Sequence, residues 1–256
     1  MTQDRDIGRL AATLIVVRDR AHGAAELLIL ERAGTMAFAA GALVFPGGAV
    51  DASDHALAAR MDHGLDPDEA AARIAAIRET IEEAGLGVGL VGDVDAAMVL
   101  RLRDGLHDGA MLGDLLDRHG LSLALDALTP FARWHPAPFD RPTRVFDAHF
   151  YLARAPESQI ASVDTTENVR LFWSSAADTL VLADRGEARI IYPTRRNLER
   201  LALYDRHGDL VAHARAFPVE KVRPWQEERD GETHLCIPDH LGYPITSEPM
   251  RLARRV

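Results

Sequence analysis

The stretch Arg78-Glu79-Thr80-Ile81-Glu82-Glu83-Ala84-Gly85-Leu86 constrains this chain more than any other. It reads as the end of a helix closed by glycine. At 3.6 residues per turn, Glu79 and Glu83 share one stripe, and Glu82 lies beside them. Like charges at this spacing repel, so a cation must offset their cost. Hard divalent ions such as Mg²⁺ take carboxylate, phosphate and water oxygens. The plainer reading is a solvated acidic face. What weighs against it lies upstream, where Phe45-Pro46-Gly47-Gly48 follows the apolar run Ala42-Leu43-Val44. Consecutive glycines after a strand allow close backbone approach to a ligand.

Along the chain, Ala11–Val17 reads as a strand, with Leu27–Leu30 as its hairpin partner and Leu43–Phe45 as a short strand entering the glycine turn. Asp51–Arg60 reads as a short helix. Asp66 caps a longer helix that opens on Pro67 and ends at Gly85, with its apolar face over Ala75 to Thr80. Residues 95–119 carry leucines near helical spacing. Arg144–Leu152 and Val169–Trp173 read as strands. Helices follow from Ser175 to Ala183 and from Thr194 to Tyr204, the second with Thr194 as N-cap. A hairpin turns at Asp230-Gly231. No repeat, low-complexity linker or domain boundary interrupts the pattern.

A hydrophobic content of 47% suits a sizeable core. The net charge of −10 argues against nucleic-acid and anionic-membrane partners, which need basic patches. The single cysteine, Cys236, rules out an internal disulfide and points to a reducing compartment. The N-terminus lacks an apolar signal core, no run is long enough to span a membrane, and Ala253-Arg254-Arg255-Val256 is not a Ser-Lys-Leu address. A cytoplasmic protein is expected, and the richness in Ala, Arg and Asp fits a bacterial chain.

The glycine turn and the acidic helix together resemble the box of the Nudix hydrolases, Gly-x5-Glu-x7-Arg-Glu-apolar-x-Glu-Glu-x-Gly-apolar. Arg78 through Leu86 match its second half, with Thr80 at the first apolar position, and Gly47-Gly48 its opening. Between them lies an insertion over about residues 54–69, of which residues 54–66 are expected to fold as a surface excursion. No Glu stands at the first acidic position; Asp54 or Glu69 replaces it as partner of the Arg. Upstream, Leu28-Ile29-Leu30-Glu31-Arg32-Ala33, then Gly41 and Phe45-Pro46-Gly47-Gly48, resembles the motif that coenzyme A diphosphatases of this superfamily carry before the box. Ala37 stands where that motif has a second basic residue. The inserted box and the run Arg144 to Phe150 look most like the acyl-coenzyme-A diphosphatase branch.

The resemblance covers about residues 8–200. It implies an α/β fold, a Nudix α/β/α sandwich with a mixed sheet. One domain would span 1–256, with insertions at about 54–69 and 95–125 and an extension from about 205. It implies Glu79, Glu82 and Glu83 as ligands of Mg²⁺ or Mn²⁺, Arg78 orienting Glu79 or Glu82, and Gly47 and Gly48 as substrate-binding positions, with the Gly47 carbonyl offered to a metal. The general base is a box Glu or Glu167, whose plain alternative is an exposed loop acid. Arg32 and Arg144 are the candidates for substrate phosphate, because a guanidinium binds phosphate in bidentate fashion. Their structural alternatives are ion pairs, Arg32 with Glu31 or Glu26 and Arg144 with Asp147. Trp134 could stack on an adenine or belong to the core. The implied reaction splits coenzyme A or acyl-coenzyme A into 3′,5′-ADP and (acyl) 4′-phosphopantetheine. Ala37 favours a rival nucleoside diphosphate substrate: ADP-ribose, NADH or a dinucleoside polyphosphate. A binding module without turnover is a third reading, and a homodimer is compatible with all three.

Overall fold

The computed structural model describes residues 8–34, 40–137, 139, 145–163 and 168–253. In chain order the strands are β1 (Arg9–Arg18), β2 (Glu26–Arg32), β3 (Leu43–Val44), β4 (Gly47–Ala49), β5 (Leu90–Val91), β6 (Ser122–Leu123), β7 (Thr129–Trp134), β8 (Phe146–Arg154), β9 (Asn168–Ser174), β10 (Lys221–Val222), β11 (Trp225–Arg229), β12 (Glu232–Cys236) and β13 (Ser247–Pro249). The helices are α1 (Ala52–Ala58), α2 (Pro67–Ala84), α3 (Ala96–His107), α4 (Leu112–His119), α5 (Ala176–Asp184), α6 (Tyr192–Leu201), α7 (His207–Ala216) and α8 (Met250–Ala253).

The central strand, β1, is buried on both faces, and its period of two feeds two cores. Ala12, Leu14 and Val16 face the core of α1 to α4. Ile15 and Val17 face the core of α5, α6, α7 and the C-terminal segment. An eight-stranded sheet in the order β10-β7-β8-β1-β2-β3, with β4 on β1 and β9 on β2, separates the two layers. β1 runs parallel to β8 and antiparallel to β2 and β4. This is the expected mixed sheet between helices.

The boundaries of α2 follow from local chemistry. The Asp66 carboxylate accepts from the N–H of Asp68 at 3.0 Å and of Glu69 at 3.4 Å, and Pro67 fills a first-turn position that needs no donor. Gly85 closes the helix in the left-handed conformation at φ 63°. Apolar burial is wider than a stripe over Ala75 to Thr80, because every residue from Ala70 to Arg78 is buried. Its alanines let the sheet, α1 and α3 approach closely. Ile74, Ile77 and Ile81 fill the remaining space and contribute about 1.5–3 kcal/mol each.

Several expectations need correction. The segment 54–66 is not simply a surface excursion: α1 occupies its start, with Asp54, Leu57 and Ala58 buried. The helical stretch 95–119 breaks into α3 and α4 around Gly109, whose φ of 87° suits glycine. Thr194 is not an N-cap. α6 begins at Tyr192 with Pro193 in its first turn, and Thr194 is buried inside it. β7 and α7 were not foreseen. The β11–β12 hairpin turns where expected, with Asp230 and Gly231 both at positive φ.

Candidate active site

The site is built where the C-terminal half of α2 passes over β4. β4 lies antiparallel on β1, with Gly48 opposite Ala12 and Gly47 opposite Thr13. A side chain at Gly47 would collide with the Ala12 carbonyl, and one at Gly48 would run into the Glu79 carboxylate. The close approach that the glycines permit is therefore to β1 and to α2 itself. The Gly47 N–H donates to Glu83 Oε2 at 2.9 Å, and Asn168 Nδ2 donates to Glu83 Oε1 at 3.2 Å. Glu83 is thus held from β4 on one side and from β9 on the other.

Arg78 is the hub of the charges. Its Nη1 donates to Glu79 Oε1 at 2.8 Å and to Glu82 Oε2 at 3.2 Å. Its Nε and Nη2 grip Asp54 at 3.0 and 2.9 Å, and Nη2 also reaches the Ala49 carbonyl at 3.1 Å. Asp54, not Glu69, is therefore the acidic partner of Arg78. Its oxygen also accepts from the Asp51 N–H at 2.9 Å, which starts α1. The signal was in the sequence: Asp54 stands six positions after Gly48, the spacing of the first acid in the box. Glu69 instead binds Arg73 at 2.8 Å and accepts from Tyr151 Oη at 3.0 Å, an arrangement belonging to the core.

Burial sets the protonation of the acids. It pushes Glu79 up to about 7 against the pull of Arg78. It pushes Glu83 up to about 7 as well, with Glu79 adding repulsion, while Gly47, Asn168 and Arg32 pull the other way. Glu82 is raised for the same first reason. Arg78, ringed by acids, is driven further above its already high value despite its burial. Two adjacent carboxylates that resist ionisation where they stand are stabilised as anions by an added cation.

Among the described residues, no three His, Cys, Asp or Glu side chains are already gathered around a common point. Glu79 and Glu82 lean on Arg78, and Glu83 leans on Gly47 and Asn168. The donor set nonetheless suits a hard divalent ion, being carboxylate oxygens whose charged forms burial disfavours.

Arg32 is in register with Asn168 across the β2–β9 pair, and it is close enough to Glu83 to lower its pKa. Of the acids expected as its alternative partners, Glu31 pairs with Arg170, and Glu26 with Arg18 and Arg20. Arg144, Glu167 and Ala37 lie outside the described residues. Asp147, a sequence candidate for pairing with Arg144, binds Arg133 through both oxygens at 2.8 Å and Lys221 at 2.7 Å. Trp134 is core: it is buried, its indole N–H reaches Tyr243 Oη at 3.0 Å, and its ring meets Tyr192 and Tyr243 edge-on. No helix is long and apolar enough to cross a membrane among the described residues.

No protein-family model matches the sequence. The crystal structure of a NUDIX hydrolase from Alicyclobacillus acidocaldarius matches with a TM-score of 0.71 at 30% identity, over 80% of this chain and 96% of that one. An Ap4A hydrolase binary complex from C. elegans matches at 17% identity and a TM-score of 0.38, over 79% of this chain and 92% of that one. The NUDIX domain of Shewanella oneidensis NrtR, complexed with ADP ribose, matches at 12% identity and a TM-score of 0.40, over 82% and 88%.

Proposed function

This chain belongs to the Nudix hydrolases, and from that premise we propose that it hydrolyses the diphosphate bond of a nucleoside diphosphate derivative with Mg²⁺ or Mn²⁺, coenzyme A or acyl-coenzyme A being the substrate. The observation that carries the reading is the pair formed by half-buried Glu79 and buried Glu83 beside Gly47-Gly48, with both carboxyls pushed up to about 7. Glu79, Glu82 and Glu83 would hold the metal. When bound, it would neutralise phosphate oxygens and lower the pKa of an attacking water. The chain's own groups do the rest. Arg78, fixed by Asp54, aims Glu79 and Glu82. The Gly47 N–H and Asn168 orient Glu83. A box glutamate or Glu167 takes the proton from water.

Arg32 supports the coenzyme A reading, because it lies in register with Asn168, which holds Glu83, and its charge lowers the Glu83 pKa. In that position it would clamp a phosphate of the substrate. Ala37 keeps ADP-ribose, NADH and dinucleoside polyphosphates as the competing substrates. The test is incubation with Mg²⁺ and a panel of coenzyme A, an acyl-coenzyme A, ADP-ribose, NADH and dinucleoside polyphosphates, with products identified by mass. The expected products are 3′,5′-ADP and 4′-phosphopantetheine. Arg32→Ala should lower kcat/KM for coenzyme A by about 10- to 150-fold, the worth of one charge-assisted contact. Preference for ADP-ribose would overturn the coenzyme A assignment.

A further inference from the structure

We infer that Arg103, on α3, is a positioning residue that fixes the last turn of α2 and with it the backbone carrying Glu82 and Glu83. The inference rests on the reading of those glutamates as the metal site.

A helix C-terminus leaves its last carbonyls without intrahelical donors and carries partial negative charge. α2 adds Glu79, Glu82 and Glu83 to that end and has no basic residue in its last turn. By electrostatics alone this turn should fray. Arg103 supplies what the helix lacks. Its Nε donates to the Glu82 carbonyl at 2.7 Å, and its Nη2 to the Glu83 carbonyl at 3.3 Å. Its Nη1 donates to Ser162 Oγ at 2.9 Å. The Ser162 N–H in turn donates to the Ala84 carbonyl at 2.9 Å. Three successive carbonyls at the end of α2 are thus satisfied from outside the helix, two by one buried guanidinium.

The surroundings are fitted to this contact. Gly85, besides its left-handed φ, leaves room for the pair: a Cβ there would stand 3.0 Å from Ser162 Oγ and 3.3 Å from Arg103 Nη1. The next turn is tied down too, since the Gly87 N–H donates to Gln159 Oε1 at 2.7 Å. α3 itself cannot drift, because Val99, Leu102 and Leu106 are buried in the core and Asp95 caps its start. Arg103 interrupts that apolar stripe at the position a core residue would take. Glu83 is then fixed twice: its main chain by Arg103, and its carboxylate by Gly47 and Asn168.

The geometry separates positioning from mere support. A structural cap would change only stability. A positioning residue changes how well Glu82 and Glu83 meet the metal, so kcat at saturating substrate and the Mg²⁺ concentration needed for half-maximal rate move, while KM for substrate stays. The test compares Arg103→Met, which keeps the packing of the stem, and Arg103→Lys, which keeps the charge, with Arg101→Ala on the exposed face of α3 as control. In metal-free protein, Arg103→Met should speed amide exchange at residues 84–87 and 162 by about 10- to 100-fold, the scale of charge-assisted hydrogen bonds. With Mg²⁺ and whichever of coenzyme A or ADP-ribose the wild type cleaves faster, kcat should fall by a similar factor. Arg103→Lys should restore much of both. Exchange at the wild-type rate in Arg103→Met overturns the inference, and so does faster exchange with unchanged kcat and Mg²⁺ requirement. A wild type without Mg²⁺-dependent turnover would instead overturn the diphosphatase reading, and the exchange data would still decide whether Arg103 holds the turn.

Discussion

At its N-terminal end α2 carries Asp68 and Glu69 behind the cap Asp66; at its C-terminal end it carries Glu79, Glu82 and Glu83. The first set sits where the helix dipole welcomes negative charge and the second where it does not. Glu69 shows what the favourable end does. Burial alone would raise its pKa, but hydrogen bonds from His149, Arg73 and Tyr151 bring it below the usual carboxylate value. At the other end burial wins, and Glu79 and Glu83 rise to about 7 although Arg78 is bonded to Glu79. The same side chain on one helix thus serves the fold at one end and strains it at the other. The strained end is the one gathered beside Gly47-Gly48, which is why it is read as the site.

The largest expected effect sets the two ends apart by activity. Glu83→Gln keeps the shape and removes the charge, and should lower kcat by about 10²- to 10³-fold, the scale of one electrostatic group in catalysis. Glu69→Gln should leave kcat within a few-fold of wild type. Equal losses in steady-state assays would erase the distinction.

Stability should rank the two ends of α2 the other way. Glu69→Gln weakens the acceptor for buried Arg73 and Tyr151 and should cost about 1–3 kcal/mol. Glu79→Gln in metal-free protein should cost less than that, or stabilise, because an ionised group that burial disfavours is removed. Urea titrations of both variants at neutral pH check the order.

The smallest effect is in the pH profile. Glu79 and Glu83 have folded-state values near 7 against 4.5 unfolded. Their contribution to stability is full below about 4.5 and is lost as pH rises through about 7. Glu69 and Asp147 are lowered, so theirs is present above the unfolded value and lost on acidification. Metal-free protein should therefore melt at a lower temperature at pH 8 than at pH 5.5. A loss of about 2 kcal/mol would lower Tm by roughly 4–8 °C. A Tm that climbs steadily to pH 8 would show that Glu79 and Glu83 ionise without strain.

How much of this could be read beforehand depended on how local the cause was. The limits of α2 were legible because Asp66-Pro67 and Gly85 act on their own neighbours. That Gly47 and Gly48 would meet Glu79 and Glu83 was legible because their spacing is itself the signal. Asp54 stood unresolved beside Glu69, since choosing between them needs either the spacing from Gly48 or the sight of Arg78. Arg103 was missed although it breaks the Val99, Leu102, Leu106 stripe; which arginine of α3 turns inward is settled by packing. β7 hides because Pro130 sits at an irregularity in its pairing, and Thr194 misled because Pro193 starts the helix earlier. The segment after Asp54 looked dispensable because its buried contacts are with residues far along the chain.

The most direct measurement is thermal unfolding of metal-free protein at pH 7.5 while Mg²⁺ is titrated in, beside Glu83→Gln. A ligand that binds the folded state at about 100 times its Kd adds about 2.7 kcal/mol, or roughly 5–10 °C at this chain length. The expected result is a rise of that order in the wild type that largely disappears in Glu83→Gln. An equal rise in both proteins, or none in the wild type, would contradict the placing of the metal at the C-terminal end of α2.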